Sequence, residues 1–114
     1  MAKMVLVGMI EPQEGMEKEF EDWYLNNHVE DTSNCPNILA GTVYRLSKGF
    51  AGTTPAQYIS IYEFEGDNED EAEATLAKYQ QDPNAWHARL PGNGSLKIVG
   101  AGWYKFDRAF HMQG

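Results

Sequence analysis

His28 is the residue of this chain whose type and position are best suited to moving a proton. Phe20, Tyr24 and His28 recur every four residues, which is the spacing of one row along a helix. An imidazole has an unperturbed pKa of about 6.5, so it can take and return a proton at neutral pH. Asp31, three residues on, can fix the imidazole tautomer and stabilise its charged form. The spacing predicts a His-Asp pair for acid-base catalysis, although a histidine at a helix end also suits the helix dipole without any catalytic role.

Other side chains are candidates for holding a substrate. Phenol hydroxyls can donate to an oxyanion or carry a proton, and three tyrosines are placed for this: Tyr24, Tyr44 and Tyr62. Arg45 is a candidate for binding a carboxylate or phenolate. Trp86 and Trp103 are candidates for the walls of an aromatic-binding site. Core packing explains the aromatic residues equally well, and a surface ion pair explains Arg45.

The remaining reactive residue types do not form recognisable sites. No second histidine follows His28 at a metal-ligand spacing, and His87 and His111 stand alone, so we expect no bound metal. Cys35 is a single cysteine in a turn, a position that is usually unreactive. The sequence has neither a Gly-rich phosphate loop nor a Ser-His-Asp constellation, and we expect no cofactor.

Length, composition and charge restrict the class of protein. With 114 residues, 42% of them hydrophobic, the chain is expected to form one domain over residues 1–114. The net charge of −8 disfavours nucleic acid and anionic membranes as partners. One cysteine allows no internal disulfide, and the first residues lack the apolar core of a secretory signal, so we expect a cytoplasmic protein. No apolar stretch approaches the roughly 20 residues that cross a bilayer, so we expect no membrane anchor.

Hydrophobic periodicity predicts four strands and two helices in the order βαββαβ. The strands are expected at residues 4–10, 38–46, 58–64 and 98–106. The helices are expected at residues 15–28 and 67–83, with a possible helical turn at 86–90. This order is the ferredoxin-like α+β fold, in which two helices cover one face of a four-stranded antiparallel sheet. Because several strands are apolar on both faces, we expect a second copy to cover the other face and form a dimeric α/β barrel.

Several motifs in residues 4–66 carry a family resemblance. They read Phe20-x-x-Trp23-Tyr24-x-x-x-His28-x-x-Asp31, then Pro36-Asn37-Ile38, then Tyr44-Arg45, then Tyr58-x-x-x-Tyr62-Glu63. Their order and spacing resemble the EthD-type branch of the dimeric α/β-barrel superfamily. In that branch a glycine occupies the turn position of Asn37, and Asn is the best other residue for a left-handed backbone. Where relatives often carry basic residues, this chain has Thr42 and Val43, so any anionic group that relatives hold there is not expected here.

The resemblance implies a cofactor-independent homodimeric enzyme that acts on a small aromatic, lactone or phenolic compound. Isomerisation, elimination, cyclisation and hydrolysis all fit this description. His28 would move a proton, Asp31 would orient the imidazole, and tyrosine hydroxyls would stabilise charge on the substrate oxygen.

Two alternatives remain open on the sequence. One is a barrel-type monooxygenase of the antibiotic-biosynthesis or haem-degrading kind, with Trp86-His87 as an axial-ligand region. The other is a non-catalytic accessory protein of an oxidative pathway that binds an aromatic compound without changing it.

Overall fold

The computed structural model describes residues 4–84 and 93–110. The strands are β1 (Met4–Pro12), β2 (Ile38–Arg45), β3 (Tyr58–Phe64) and β4 (Leu96–Lys105), with a short 3₁₀ helix at Asn93–Ser95. They form one sheet in the order β2-β3-β1-β4, and each neighbouring pair is antiparallel. This arrangement confirms the predicted ferredoxin-like fold. The bounds of β3 agree with the prediction, whereas β4 begins two residues earlier and ends one residue earlier than predicted.

The first helix runs without a break through three consecutive parts. These are α1 (Glu17–Phe20), a π-helical segment (Glu21–His28) and α2 (Val29–Ser33). The helix continues one turn beyond His28, the approximate end that was predicted, because the backbone there is still helical, with φ −64° and ψ −42°. The helix ends only where Pro36 approaches, since proline disfavours helical geometry in the residue before it. The extra turn brings Asp31 and Thr32 onto the helix.

Asn37 forms the turn between the first helix and β2. Its φ of 71° places it in the left-handed region, which confirms the expectation drawn from the sequence. The Asn37 carbonyl accepts a hydrogen bond from the Glu65 N–H over 2.8 Å, which ties this turn to the end of β3.

The second helix, α3 (Glu69–Gln81), is shorter than the predicted helix over 67–83, and its N-cap is Asn68. The side-chain oxygen of Asn68 accepts a hydrogen bond from the Glu71 N–H over 3.0 Å, so the helix begins after Asn68. The indole Nε1 of Trp103 donates to Glu73 over 2.6 Å, which joins α3 to β4. Both helices pack on the same face of the sheet.

The two faces of the sheet differ in their surroundings. Side chains from the helices and the helix-covered face form the buried core, whose members are Met4, Ile10, Phe20, Trp23, Tyr24, Val29, Tyr58, Tyr62, Phe64 and Ala72. The open face carries Val5, Val7, Met9, Tyr44, Ile59, Ile61 and Tyr104, which strand register places together. This composition is the basis for the predicted second copy, which stays a prediction. In the described residues, no helix has both the length and the apolar character needed to cross a membrane.

Candidate active site

The π-helical segment gives the first helix an unusual side-chain arrangement. Its hydrogen bonds join residues five apart, as in the bond from the Val29 N–H to the Tyr24 carbonyl. Such segments are rare and frequently lie at functional sites. The wider turn brings residues five apart onto one side, so the rings of Trp23 and His28 stack with centroids 4.4 Å apart. This contact is a direct product of the π-helical geometry.

The predicted row of side chains four residues apart is also present. The rings of Phe20 and Tyr24 stack at 5.2 Å, and the rings of Tyr24 and His28 lie 5.3 Å apart. Phe20 and Tyr24 are buried, whereas His28 is half-buried. The imidazole therefore lies at the outer end of an aromatic row whose inner end belongs to the core.

Strand β3 supplies the polar groups that Tyr24 meets. The Tyr24 hydroxyl donates to Ser60 Oγ over 3.1 Å. Ser60 is 1% exposed and lies directly across from Gly8 on β1. A Cβ atom at Gly8 would come within 2.8 Å of Ser60 Oγ, which is too close for an unchanged structure. Gly8 therefore provides the space in which Ser60 accepts the tyrosine hydroxyl.

Thr32 and Tyr62 complete a group of buried hydroxyls, which we call the hydroxyl cluster: Tyr24, Thr32, Ser60 and Tyr62. Thr32 Oγ1 lies 3.4 Å from His28 Nε2. Around the hydroxyl of Tyr62 lie those of Tyr24, Thr32 and Ser60, all close enough to affect its pKa. Within the described part of the chain, however, the Tyr62 hydroxyl is buried and completes no hydrogen bond. The cluster thus contains a hydroxyl with unused hydrogen-bonding capacity.

Burial keeps both tyrosines of the cluster protonated. It is the main cause that raises the pKa of Tyr24, and it outweighs the opposing effect of the hydrogen bond to Ser60. The pKa of Tyr62 is raised much further, first by burial and then by the nearby Tyr24. At neutral pH both groups are therefore neutral phenols, which can donate a hydrogen bond to an acceptor oxygen.

Asp31 occupies a different environment from the one the sequence suggested. Its side chain is 1% exposed, and its Oδ1 accepts a hydrogen bond from the Tyr79 hydroxyl over 2.9 Å. The same hydroxyl lies 2.9 Å from the Asp31 backbone carbonyl. Asp31 thus joins the first helix to α3, and its predicted pairing with His28 stays a prediction.

The predicted substrate-binding residues are spread over the molecule. Tyr62 lies in the hydroxyl cluster, but Tyr44 is on the open face of the sheet with 59% of its surface exposed. The Arg45 guanidinium lies 5.7 Å from the centre of the Tyr58 ring, at the far end of β3 from Phe64. Trp103 pairs with Leu6 in the sheet and contacts Phe64 edge to face. Trp86 and the neighbouring His87 lie outside the described residues.

Three residues of this region were not singled out from the sequence: Thr32, Ser60 and Tyr79. Thr32 follows His28 by four residues, so a helix extended by one turn would have revealed it. Ser60 is the one small polar residue between aromatic neighbours on the buried face of β3, and this contrast was a usable signal. Tyr79 carried no local signal, because its partner Asp31 is 48 residues away.

Two cavities lined by described residues lie beside this region. The larger has a volume of about 650 Å³ and is lined by Pro36, Asn37, Thr75, Lys78, Tyr79, Gln81 and Asp82. The smaller, of about 450 Å³, lies between the start of α3 and the end of β3. Neither is lined by His28 or by the hydroxyl cluster.

In residues 4–84 and 93–110, no three His, Cys, Asp or Glu side chains are grouped to hold a metal ion. Cys35 is buried, and burial raises the pKa of its thiol.

Comparison with known proteins identifies the fold. No family model matches the sequence, and no curated protein matches it. Among solved structures, HapK from Hahella chejuensis is 12% identical, with a TM-score of 0.60 over 97% of this chain and 99% of that chain. A putative monooxygenase from Shewanella loihica PV-4 is 14% identical, with a TM-score of 0.60 over 95% of this chain and 97% of that chain.

An EthD family protein from Bacillus halodurans C-125 has the same arrangement of strands and helices. It is 16% identical, with a TM-score of 0.52 over 90% of this chain and 97% of that chain. At these identities the likenesses concern the fold alone. The chain therefore has the ferredoxin-like α+β fold that was predicted from its sequence, and it shares this fold with these solved structures, one of which is an EthD family protein.

Proposed function

We propose that the protein is a cofactor-independent enzyme that transfers a proton on a small aromatic, lactone or phenolic compound. The observation that carries this proposal is the position of His28, whose ring stacks on Trp23 and contacts Tyr24 beside the buried hydroxyl cluster. A titratable imidazole, flat aromatic walls and protonated phenols are together suited to acid-base chemistry on a planar substrate.

The proposed reaction uses each group in a distinct role. His28 removes a proton from the substrate, and the electron pair of the broken bond moves toward the substrate oxygen. Tyr62 or Tyr24 donates a hydrogen bond to that oxygen, and Asp31 is the carboxylate proposed to stabilise the imidazolium form of His28. The imidazolium then returns the proton to another atom of the substrate or to its leaving group. Such a cycle leaves the enzyme unchanged and consumes no oxidant.

The surroundings of the site favour one class of substrate. The rings of Trp23 and Tyr24 surround the imidazole of His28, and such an aromatic environment suits a flat, largely apolar compound. The net charge of −8 disfavours highly anionic compounds. Because His28 is half-buried while the hydroxyl cluster is buried, we propose that the substrate enters from the side of His28.

The proposal can be tested without knowing the natural substrate. Acetylphenols and β-keto lactones carry acidic C–H groups, and proton NMR in D₂O follows their exchange for deuterium. We expect the protein to accelerate exchange for at least one such compound and His28→Gln to lower the rate about 100-fold or more. Glu30→Gln, at an exposed position on the same helix, is the matched control and is expected to keep the full rate.

The outcomes separate the proposal from its alternatives. Exchange that is equally fast with His28→Gln would refute the role of His28. Binding without exchange would favour the accessory-protein alternative. Turnover that consumes dioxygen would favour a monooxygenase, the description given to the Shewanella loihica structure of the same fold.

A further inference from the structure

Thr32 lies between His28 and the hydroxyl cluster. It is one turn beyond His28 on the first helix, and only 6% of its surface is exposed. Its Oγ1 is 3.4 Å from His28 Nε2, a long hydrogen bond of the kind that often shortens when a substrate binds. Its hydroxyl also lies near that of Tyr62. Thr32 is therefore in a position to act on the imidazole from inside the protein.

We propose that Thr32 is the positioning residue that fixes the orientation and the tautomer of His28, with the proton on Nε2. In this arrangement Thr32 Oγ1 accepts the Nε2–H, and its own hydroxyl hydrogen turns toward the Tyr62 oxygen. The second ring nitrogen, Nδ1, is buried, and it then carries the lone pair that accepts a proton from a substrate atom that enters the interior beside it. This inference deepens the proposed function, on which its catalytic consequence rests.

The proposed direction of the Thr32 hydrogen bonds satisfies the buried hydroxyl of Tyr62. A hydroxyl has one hydrogen to donate and two lone pairs that accept. The buried Tyr62 hydroxyl has unused hydrogen-bonding capacity in the described part of the chain, and leaving a buried polar group unsatisfied is costly. If the hydrogen of Thr32 turns to Tyr62, the hydrogen of Tyr62 stays available for the substrate oxygen, as the proposed function requires, and a lone pair of Thr32 Oγ1 faces His28. Only the Nε2–H tautomer can use that lone pair.

Asp31 was the predicted orienting residue, and its environment argues for a different task. Its Oδ1 accepts the Tyr79 hydroxyl, and its backbone carbonyl lies at the same distance from that hydroxyl. These two contacts place the carboxylate at the junction between the first helix and α3. Either Thr32 or Asp31 could determine the tautomer of His28. Substituting each residue in turn shows which of the two does so.

The test is nitrogen NMR of the full chain labelled with ¹⁵N-histidine, at a pH where the imidazole is neutral. The shifts of Nδ1 and Nε2 report the tautomer, and loss of signals in His28→Gln identifies His28 among the three histidines. We expect the Nε2–H form to dominate in the wild type and in Thr32→Ser. Thr32→Val, which keeps the shape but lacks the hydroxyl, is expected to change the tautomer ratio about fivefold. Asp31→Asn is expected to leave the ratio as in the wild type.

Three results would overturn the inference: a dominant Nδ1–H form in the wild type, an unchanged ratio in Thr32→Val, or an equal change in Asp31→Asn. The wild-type measurement decides the tautomer even if a variant folds poorly. Because no substrate is used, failure here is distinct from failure of the deuterium-exchange assay. If both proposals hold, Thr32→Val lowers kcat with little effect on KM, and Thr32→Ser restores it.

Discussion

The hydroxyl of Tyr79 on α3 donates a hydrogen bond to Oδ1 of Asp31 on α2, and the two atoms are 2.9 Å apart. Asp31 is among the most deeply buried side chains in the described residues. A buried carboxylate is costly unless hydrogen-bond donors surround it. The contact therefore joins the two helices, and it supplies a hydrogen-bond donor to the buried carboxyl group of Asp31.

Removing this hydrogen bond is expected to destabilise the protein. Tyr79→Phe deletes the donor and leaves the ring, so we expect the free energy of unfolding to fall by about 1–3 kcal/mol. Urea denaturation followed by circular dichroism measures the change. Tyr104→Phe, at a half-exposed tyrosine of β4, is the matched control and is expected to shift stability by less than about 0.5 kcal/mol. Equal effects of the two variants would show that the Tyr79 hydroxyl contributes nothing specific.

The same tyrosine predicts how stability depends on alkaline pH. Burial and then the hydrogen bond to Asp31 raise the pKa of Tyr79 to about 12, compared with about 10 in the unfolded chain. Between these values the unfolded chain has lost the phenol proton while the folded chain keeps it. The stabilisation is therefore complete below about pH 10 and is lost as the pH rises toward 12.

We expect the free energy of unfolding to decrease between about pH 10 and pH 12 and to decrease less steeply in Tyr79→Phe. Denaturation at a series of pH values measures the slope. The raised pKa values of Tyr24 and Tyr62 act in the same direction, so part of the slope should remain in the variant. A slope that is unaffected by Tyr79→Phe would contradict the assignment.

The close approach of Gly8 to Ser60 predicts a steric effect. In Gly8→Ala the new Cβ would lie 2.8 Å from Ser60 Oγ, so either the strand or the serine must move. We expect a loss of about 1–3 kcal/mol in the free energy of unfolding. Gly100→Ala on β4 is the matched control, because its Cβ would meet Met9 at an ordinary 3.5 Å.

A double variant separates this clash from a general effect on β1. Ser60→Ala removes the oxygen that the new methyl group meets, although it also removes the Tyr24 hydrogen bond. The double variant Gly8→Ala/Ser60→Ala should therefore be less destabilised than the sum of the single variants. Strict additivity would refute the proposed contact between the two positions.

Local signals in the sequence were sufficient for the fold and for the row of aromatic side chains on the first helix. The bounds of β3 and the aromatic row ending at His28 followed from residue type and spacing. The π-helical segment did not, because residue type and spacing predict a helix without distinguishing four-residue from five-residue hydrogen bonds. The contacts of Tyr24 with Ser60 and of Asp31 with Tyr79 join residues 36 and 48 positions apart, so no local pattern encodes them.

Asn37 allows a test of a backbone requirement that was read from the sequence. Its φ is 71°, where a residue with a Cβ is strained and glycine is not. Asn37→Ala is expected to lower the free energy of unfolding by about 1 kcal/mol, whereas Asn37→Gly should be neutral or slightly stabilising. Thermal and urea denaturation of the pair measures the difference. If alanine were tolerated as well as glycine, the turn would not depend on the left-handed conformation.

The open face of the sheet predicts that the chain associates with a second copy. Ile61 lies near the centre of this face, where its register neighbours are Val7 and Thr42. A sheet that is apolar on both sides needs a cover, and a second identical face is the simplest one. Size-exclusion chromatography with light scattering measures the molar mass, and we expect a dimer at micromolar concentration.

Ile61→Asp places a charge in the middle of the open face and should convert the dimer into a folded monomer, since an unpaired buried charge is strongly disfavoured. Ala77→Asp, at an exposed position on α3, is the matched control and should remain dimeric. His28 lies on the helix-covered side of the sheet, opposite to the face that carries Ile61. A monomeric Ile61→Asp protein that still catalyses exchange would therefore mean that each chain carries a complete site, whereas a dimeric one would place the interface elsewhere.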